Sequence, residues 1–519
     1  MKKLLYIFLL LPATQVFAQV PEDALRYSFY PQNGTARNLA TGGVMGSLGG
    51  DITANYVNPA GLGFFKTREI VLTPSYFLNN QTANFRDVKT AAKDNNFAFG
   101  PMGVIIGQPN RYNPRNSSAF SFALTQTANF NNTIRYKGLN NLSSFSESFA
   151  EEFSKSGYSI DDVLNTMSPL PYTSALGLQT YLIDTATING QTVVRGAPEN
   201  ILDAGQALQQ DMLKTTSGGI YELALSGAFN KNDQWYFGGS LGIPIINYKS
   251  NTTFTESDTS SNTGNGFKSF TYNDEFRTVG VGVNVKLGVI YRPEEHIRFG
   301  LALHTPSVFF QRDKHTASLT TNLETAAGQP ETFSASSLLF TNNQEGVSRY
   351  LQSTAWRAIL SGSYVFREIE DVRKQKGFIS ADVEYVNHRG SRFSSDNEEV
   401  TDDEKTYYKA LNDVVKNLYK GAFNFRVGGE LKFNVIMARL GFGYYGNPYK
   451  DADFKANRMV LSGGLGYRHK GMFIDLTYAH HINKDADYPY RLEDRPNNFT
   501  YASTRQNLGN IVATVGWKF

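Results

Sequence analysis

The 519 residues include 46 Gly, 37 Phe and 29 Tyr but only 3 Trp and no Cys, which excludes disulfides and thiolate metal sites. Fifty Lys and Arg stand against 47 Asp and Glu, and removing Lys2 and Lys3 from the formal +3 leaves +1, no basis for nucleic-acid binding. Beyond residue 18 no apolar run approaches the roughly 20 residues that a transmembrane helix needs, whereas aromatic and glycine richness without such runs suits strands with one apolar face.

The chain opens as a secretory signal peptide. Lys2 and Lys3 precede a short apolar run at 4–11, and Val16-Phe17-Ala18 offers a small residue for cleavage. Residues 1–18 are expected to be removed, leaving Gln19 first, and no Cys follows to carry a lipid. Residues 19–68 do not alternate. They carry Gly42, Gly43, Gly46, Gly49 and Gly50, then Asn58-Pro59-Ala60-Gly61. Irregular backbone at membrane depth is tolerated only inside protein or a wet cavity, so this segment is expected to plug a lumen.

From residue 69 to 519 the pattern is that of an all-β, transmembrane antiparallel barrel. Val279, Val281, Val283, Val285, Leu287 and Val289 alternate with Gly280, Gly282, Asn284, Lys286 and Gly288. One face suits lipid and the other a polar interior. Strands are expected near 69–79, 97–108, 117–130, 218–230, 234–249, 277–292, 296–306, 353–367, 377–390, 421–433, 436–446, 457–469, 471–483 and 506–519. Short links at 230–234, 292–296, 432–435 and 468–471 alternate with long ones at 131–217, 250–276, 307–350, 391–420 and 484–505. That places the short turns and both chain ends in the periplasm, with the long loops outside. In the last strand Ile511, Ala513, Val515, Trp517 and Phe519 share a face, an ending similar to the signal read by the barrel assembly machinery.

The long loops carry two amphipathic helical patterns. Phe145, Phe149 and Phe153 recur at i, i+4, i+8, and Leu411 and Val415 belong to a second set within 402–419. These are candidates either for hydrophobic capture or for loop cores. Arg357 and Arg426 fall on the lumen face, where a guanidinium fork meets a carboxylate head group or pairs with a neighbour such as Glu222 or Glu430. No Ser/His/acid grouping or metal spacing stands out, so neither an enzyme nor a cofactor is expected, and the adjacent His480-His481 reads as an interfacial or loop feature.

The segments Ala36-Arg37-Asn38-Leu39-Ala40-Thr41-Gly42-Gly43, Gly50-Asp51 and Asn58-Pro59-Ala60-Gly61-Leu62 resemble the FadL/TodX family of outer-membrane transporters for long-chain fatty acids and aromatic hydrocarbons. The resemblance continues in Leu287-Gly288-Val289-Ile290-Tyr291-Arg292-Pro293 and Gly441-Phe442-Gly443-Tyr444-Tyr445, and covers the plug and most strands but not the long loops. It implies a plugged barrel with an outer capture site, an internal pocket and a side opening into the membrane, and a monomer is expected. Passive uptake of hydrophobic small molecules is the function it implies, beside outer-membrane lipids including lipopolysaccharide. An anchoring barrel for secreted proteins and a haem-type receptor are the alternatives. A side opening needs a broken hydrogen-bond ladder, and Pro supplies one. Gly100-Pro101-Met102-Gly103 in the second strand marks the expected place, beside the third strand; a β-bulge that only bends the wall is the other reading, and Gly242-Ile243-Pro244 is the second candidate.

Overall fold

The computed structural model describes residues 21–188, 190–324, 330–366, 376–451, 456–494 and 501–519. The expected signal peptide and the cleavage point at Gln19 lie outside these residues. Among the described residues no helix is long and apolar enough to cross a membrane. The chain crosses with strands instead.

Fourteen antiparallel strands close into a barrel. They are β1 (Arg68–Leu72 and Pro74–Phe85), β2 (Asn96–Phe99 and Met102–Pro109), β3 (Ser117–Asn129, extended by Asn132–Asn140) and β4 (Leu208–Lys231). Next come β5 (Trp235–Asp258), β6 (Ser269–Glu294), β7 (Ile297–His304 and Val308–Glu324) and β8 (Gly346–Ser353 and Arg357–Phe366). The ring continues through β9 (Gly377–Asn387), β10 (Gly421–Phe433), β11 (Ile436–Tyr445), β12 (Arg458–His469), β13 (Met472–Asp487) and β14 (Ala502–Lys518). Each pairs with the next, and β14 returns to β1 with Leu72 opposite Val515 and Tyr76 opposite Ile511. Closure pairs each strand on both sides over most of its length, the condition for a β-structure in hydrocarbon.

Alternation sets which face meets lipid. On β6, Val279, Val281, Val283, Val285 and Leu287 are exposed while Asn284 and Lys286 are buried inside. Aromatic rings rim this apolar belt: Trp235, Tyr291, Phe299 and Phe433 on the short-turn side, Phe310, Trp356, Tyr385 and Phe423 on the other. From Phe423 to Phe433 is about 34 Å of strand, or about 26 Å along an axis tilted by about 40°, enough to match an outer-membrane apolar band.

The ladder does not stop at the upper rim. β4 and β5 run 24 residues each and β6 runs 26, about 80 Å of strand and roughly twice what crossing requires. The link expected over 250–276 is therefore mostly ladder, from Asn251 opposite Glu275 to Ser257 opposite Ser269. Strand is hidden from the sequence there because Thr, Ser and Asn fill the outward positions once lipid is left behind. Similar extensions occupy parts of 131–217 and 307–350. Over them lie two helices, Ser146–Ser156 and Asp402–Leu418, and the hairpin Ile183–Ile188 with Gln191–Gly196.

Residues 21–65 form an inner segment that packs against inward-facing positions of the wall. The amides of Met45 and Gly46 donate to Asp382 Oδ2 of β9 at 3.0 and 3.2 Å, Arg298 of β7 donates to the Leu48 carbonyl at 2.7 Å, and Thr477 of β13 donates to the Ala36 carbonyl at 2.6 Å. Inward glycines admit the segment. A β-carbon on Gly441 would lie 2.0 Å from the Gly42 nitrogen, and one on Gly300 2.0 Å from the Gly46 oxygen.

Candidate functional site

The Asn58-Pro59-Ala60-Gly61 turn is held from both sides. Asn58 caps the 3-10 helix Pro59–Phe64, its Oδ1 accepting from the Ala60 amide at 3.1 Å. Pro59 needs no N–H at the first helical position and arrives with its φ already set. The Asn58 Nδ2 donates inward to the Gly46 carbonyl at 2.6 Å and outward to the Val289 carbonyl of β6 at 3.3 Å. Gly288 and Gly238 leave room for this contact; a β-carbon on Gly238 would lie 2.4 Å from the Pro59 carbonyl carbon.

A second local arrangement interrupts the wall. β2 breaks at Gly100 and Pro101. Below the break it pairs with β3 from Met102 opposite Leu124 to Pro109 opposite Ser117. Above it, Asn96–Phe99 pairs with β1 and makes no ladder with β3. Pro101 supplies no N–H, the Gly100 amide turns to the Thr73 carbonyl at 2.8 Å, and Gly103 sits at φ 150° where a β-carbon would strike the Phe122 oxygen at 2.2 Å. Across the gap β3 shifts register between its pairings of Gln126 and Ala128 with β4, leaving Thr127 as a bulge. A bulge at Thr127 on β3 thus faces the break in β2. Pro244 differs: the β5–β6 ladder skips from Gly242–Asn284 to Ile245–Val281 without changing register.

Two side-chain amides span the β2–β3 seam in place of the ladder. Asn33 of the inner segment donates to the Phe99 carbonyl on one lip at 3.1 Å and to the Gln126 carbonyl on the other at 2.6 Å. Asn129 donates to Asn96 Oδ1 at 2.7 Å. Sequence reasoning found Pro101 but missed Asn33 and Thr127. The Asn33-Gly34 pair was the available signal for a tight approach: a β-carbon on Gly100 would lie 2.5 Å from the Gly34 oxygen.

Behind the seam is a lumen cavity of about 60 Å³ whose lining includes Asn33, Thr125, Thr127, Lys286, His304 and Arg357. Of the two arginines expected on the lumen face, only Arg357 reaches it. Its Nη2 donates to the Ser28 carbonyl at 2.9 Å, and its Nη1 lies 3.8 Å from Glu384. Arg426 is sealed off, donating to Glu384 Oε2 at 3.0 Å with Asp382 3.9 Å away. The expected partners are corrected accordingly: Glu222 pairs with Lys286, and Glu430 pairs with Arg439 at 2.6 Å.

No protein-family model matches the chain, and no curated protein matches it. Two solved structures resemble it along nearly its whole length. One is a FadL homologue of Pseudomonas aeruginosa, 13% identical over 94% of this chain and 98% of that one, with a TM-score of 0.51. The other is the toluene transporter TodX of Pseudomonas putida, 12% identical over 94% and 99%, also with a TM-score of 0.51. The chain has the FadL fold.

In this FadL-type barrel the helical loop residues fall into two separate clusters. The Phe145 ring stacks on Tyr490 at 5.4 Å and meets Phe254 edge-on at 5.1 Å, while Phe149 is fully buried beside it and Phe153 is half-buried. Leu411 and Val415 are buried against a different set that includes Leu25, Phe29, Tyr350 and Phe393. The apolar faces turn down onto the strand extensions and the inner segment, as an amphipathic helix over an apolar floor does. His480 and His481 point to opposite faces of β13, so the pair does not converge on one ligand; His480 lies 3.3 Å from the Tyr478 hydroxyl and His481 is buried.

Proposed function

We propose that this protein is an outer-membrane channel for passive uptake of hydrophobic small molecules, with long-chain fatty acids or aromatic hydrocarbons as its cargo, released sideways through the β2–β3 seam. The observation that supports this reading is the ladder break at Gly100 and Pro101, bridged by Asn33 rather than by backbone pairing. A hydrophobic cargo entering the periplasm would lose about 0.8 kcal/mol for every CH₂ returned to water, a cost that exit into lipid avoids. Residues 19–68 act as the plug, and the half-buried faces of Phe145 and Phe153 give cargo its first apolar contact outside. Arg357, beside the cavity, is the candidate for a carboxylate head group; Arg426 is already committed to Glu384.

The test joins the lips of the seam. Asn96 and Asn129 already touch through their side chains, so Asn96→Cys with Asn129→Cys places a crosslink in a chain that has no other thiol among its residues. Uptake of labelled oleate or toluene into cells is expected to stop on oxidation and return on reduction. Continued uptake with the crosslink complete would rule out this exit.

A further inference from the structure

The outer wall of β5 to β8 carries a basic patch immediately above the apolar belt. Lys249, Arg277, Arg312, Lys314 and Arg349 occupy outward positions on four neighbouring strands. Their register is unusual. Lys249 stands opposite Arg277, Arg277 opposite Lys314, and Arg312 opposite Arg349. Like charges directly opposite on one sheet face are destabilising. Among the described residues two carboxylates pair with the patch, Glu275 at 2.5 Å from Lys249 and Glu345 beside Lys314. Arg277, Arg312 and Arg349 make no ion pair within 4 Å among the described residues.

Height decides what neutralises them. Arg312 lies one same-face step above Phe310, which is 63% exposed, and Arg277 one step above exposed Val279. A same-face step is about 7 Å, so the guanidinium groups reach the level where lipid head groups begin. Below them Val281, Val283 and Val308 continue the apolar wall. Guanidinium forks match phosphate oxygens two at a time, and such bonds strengthen away from bulk water.

We infer that this patch binds a phosphate-bearing lipid of the outer leaflet, a glycolipid of the lipid A type, with its phosphates on Arg277, Arg312 and Arg349 and its chains along the valine wall. A lipid is favoured over free phosphate because the cations and the apolar wall form one continuous surface. The inference rests on the barrel standing in a membrane and not on what it transports.

Native mass spectrometry of the detergent-purified, full-length barrel tests this, with added diphosphorylated lipid A and its dephosphorylated form as probes. The wild type is expected to retain the phosphorylated lipid and not the other. Arg277→Gln with Arg312→Gln and Arg349→Gln should lower the retained fraction by about tenfold or more, while Arg→Lys at the same positions, which keeps the charge and loses the fork, should fall between the two. Heat-resistant barrel migration reports that each variant folds. Equal retention by wild type and the Gln variant would overturn the inference. So would release of the lipid by millimolar inorganic phosphate, which would make this a simple anion site.

Discussion

A β-carbon placed on Gly288 of the wall would lie 1.8 Å from the Asn58 Oδ1 of the inner segment. Gly288→Leu is therefore incompatible with the Asn58-Pro59-Ala60 turn where it sits; overpacking of this kind costs about 1–3 kcal/mol even when the surroundings give way. The expected result is a rise in ion conductance in planar bilayers with heat-resistant migration retained, as in a deletion of residues 19–60. If both variants conduct no better than the wild type, the inner segment is not what blocks the lumen.

Asn33→Ala removes the amide that joins the two lips of the seam. Two half-buried carbonyls, of Phe99 and Gln126, then lose a donor, at less than the roughly 1–3 kcal/mol that a fully buried unsatisfied group costs. Hydrogen exchange should speed up over 96–101 and 125–130 and stay unchanged over β9 to β12. A barrel-wide acceleration would show that Asn33 supports the whole fold and has no particular hold on the seam.

The loop phenylalanines should separate by burial. Phe149→Ala empties a packed core and is expected to cost about 3–5 kcal/mol locally, read as faster protease cleavage within 141–207. Phe145→Ser with Phe153→Ser, at half-buried positions, should weaken oleate binding while speeding cleavage less than Phe149→Ala does, the loss of the Phe145–Tyr490 stack included. Unaltered oleate affinity in that double variant would reduce the helix to a packing element.

Acidity acts on the same loop through Glu152. Burial holds its carboxyl above the usual carboxylate range, although hydrogen bonds from Ser174 and Thr173 pull the other way. A raised folded-state value means that the folded loop holds the proton more tightly than the unfolded one. The Glu152 contribution to loop stability is thus greatest at or below about pH 4.5 and is lost as pH rises from there through the raised value. Glu152→Gln should flatten the pH dependence of proteolysis across that window; an unchanged slope would assign the dependence to other groups.

The fourteen crossing strands were legible because lipid on one side and a polar lumen on the other impose alternation, as in Val279 to Val289. Above the rim that constraint lapses, and the ladder from Asn251 to Ser257 reads as a loop. Pro101 was legible because proline cannot complete a ladder. Its counterpart Thr127 was not, because a bulge in a run such as Ala123-Leu124-Thr125-Gln126-Thr127 changes no residue type. The partner of Arg426 also escaped sequence reasoning. Asp382 stands opposite Arg426 and Glu384 opposite Asn424, and that choice depends on β9–β10 register.

The glycine-lined wall also constrains biogenesis. At Gly238, Gly288, Gly300 and Gly441 the inner segment lies against bare strand backbone, and the ring around it is closed by β14 on β1. The segment is therefore expected to lie on the concave side of a still-open sheet before β14 zips onto β1, so that the strands curl around a guest already in place. A peptide of the same sequence, supplied separately to a finished barrel lacking it, should find no way in.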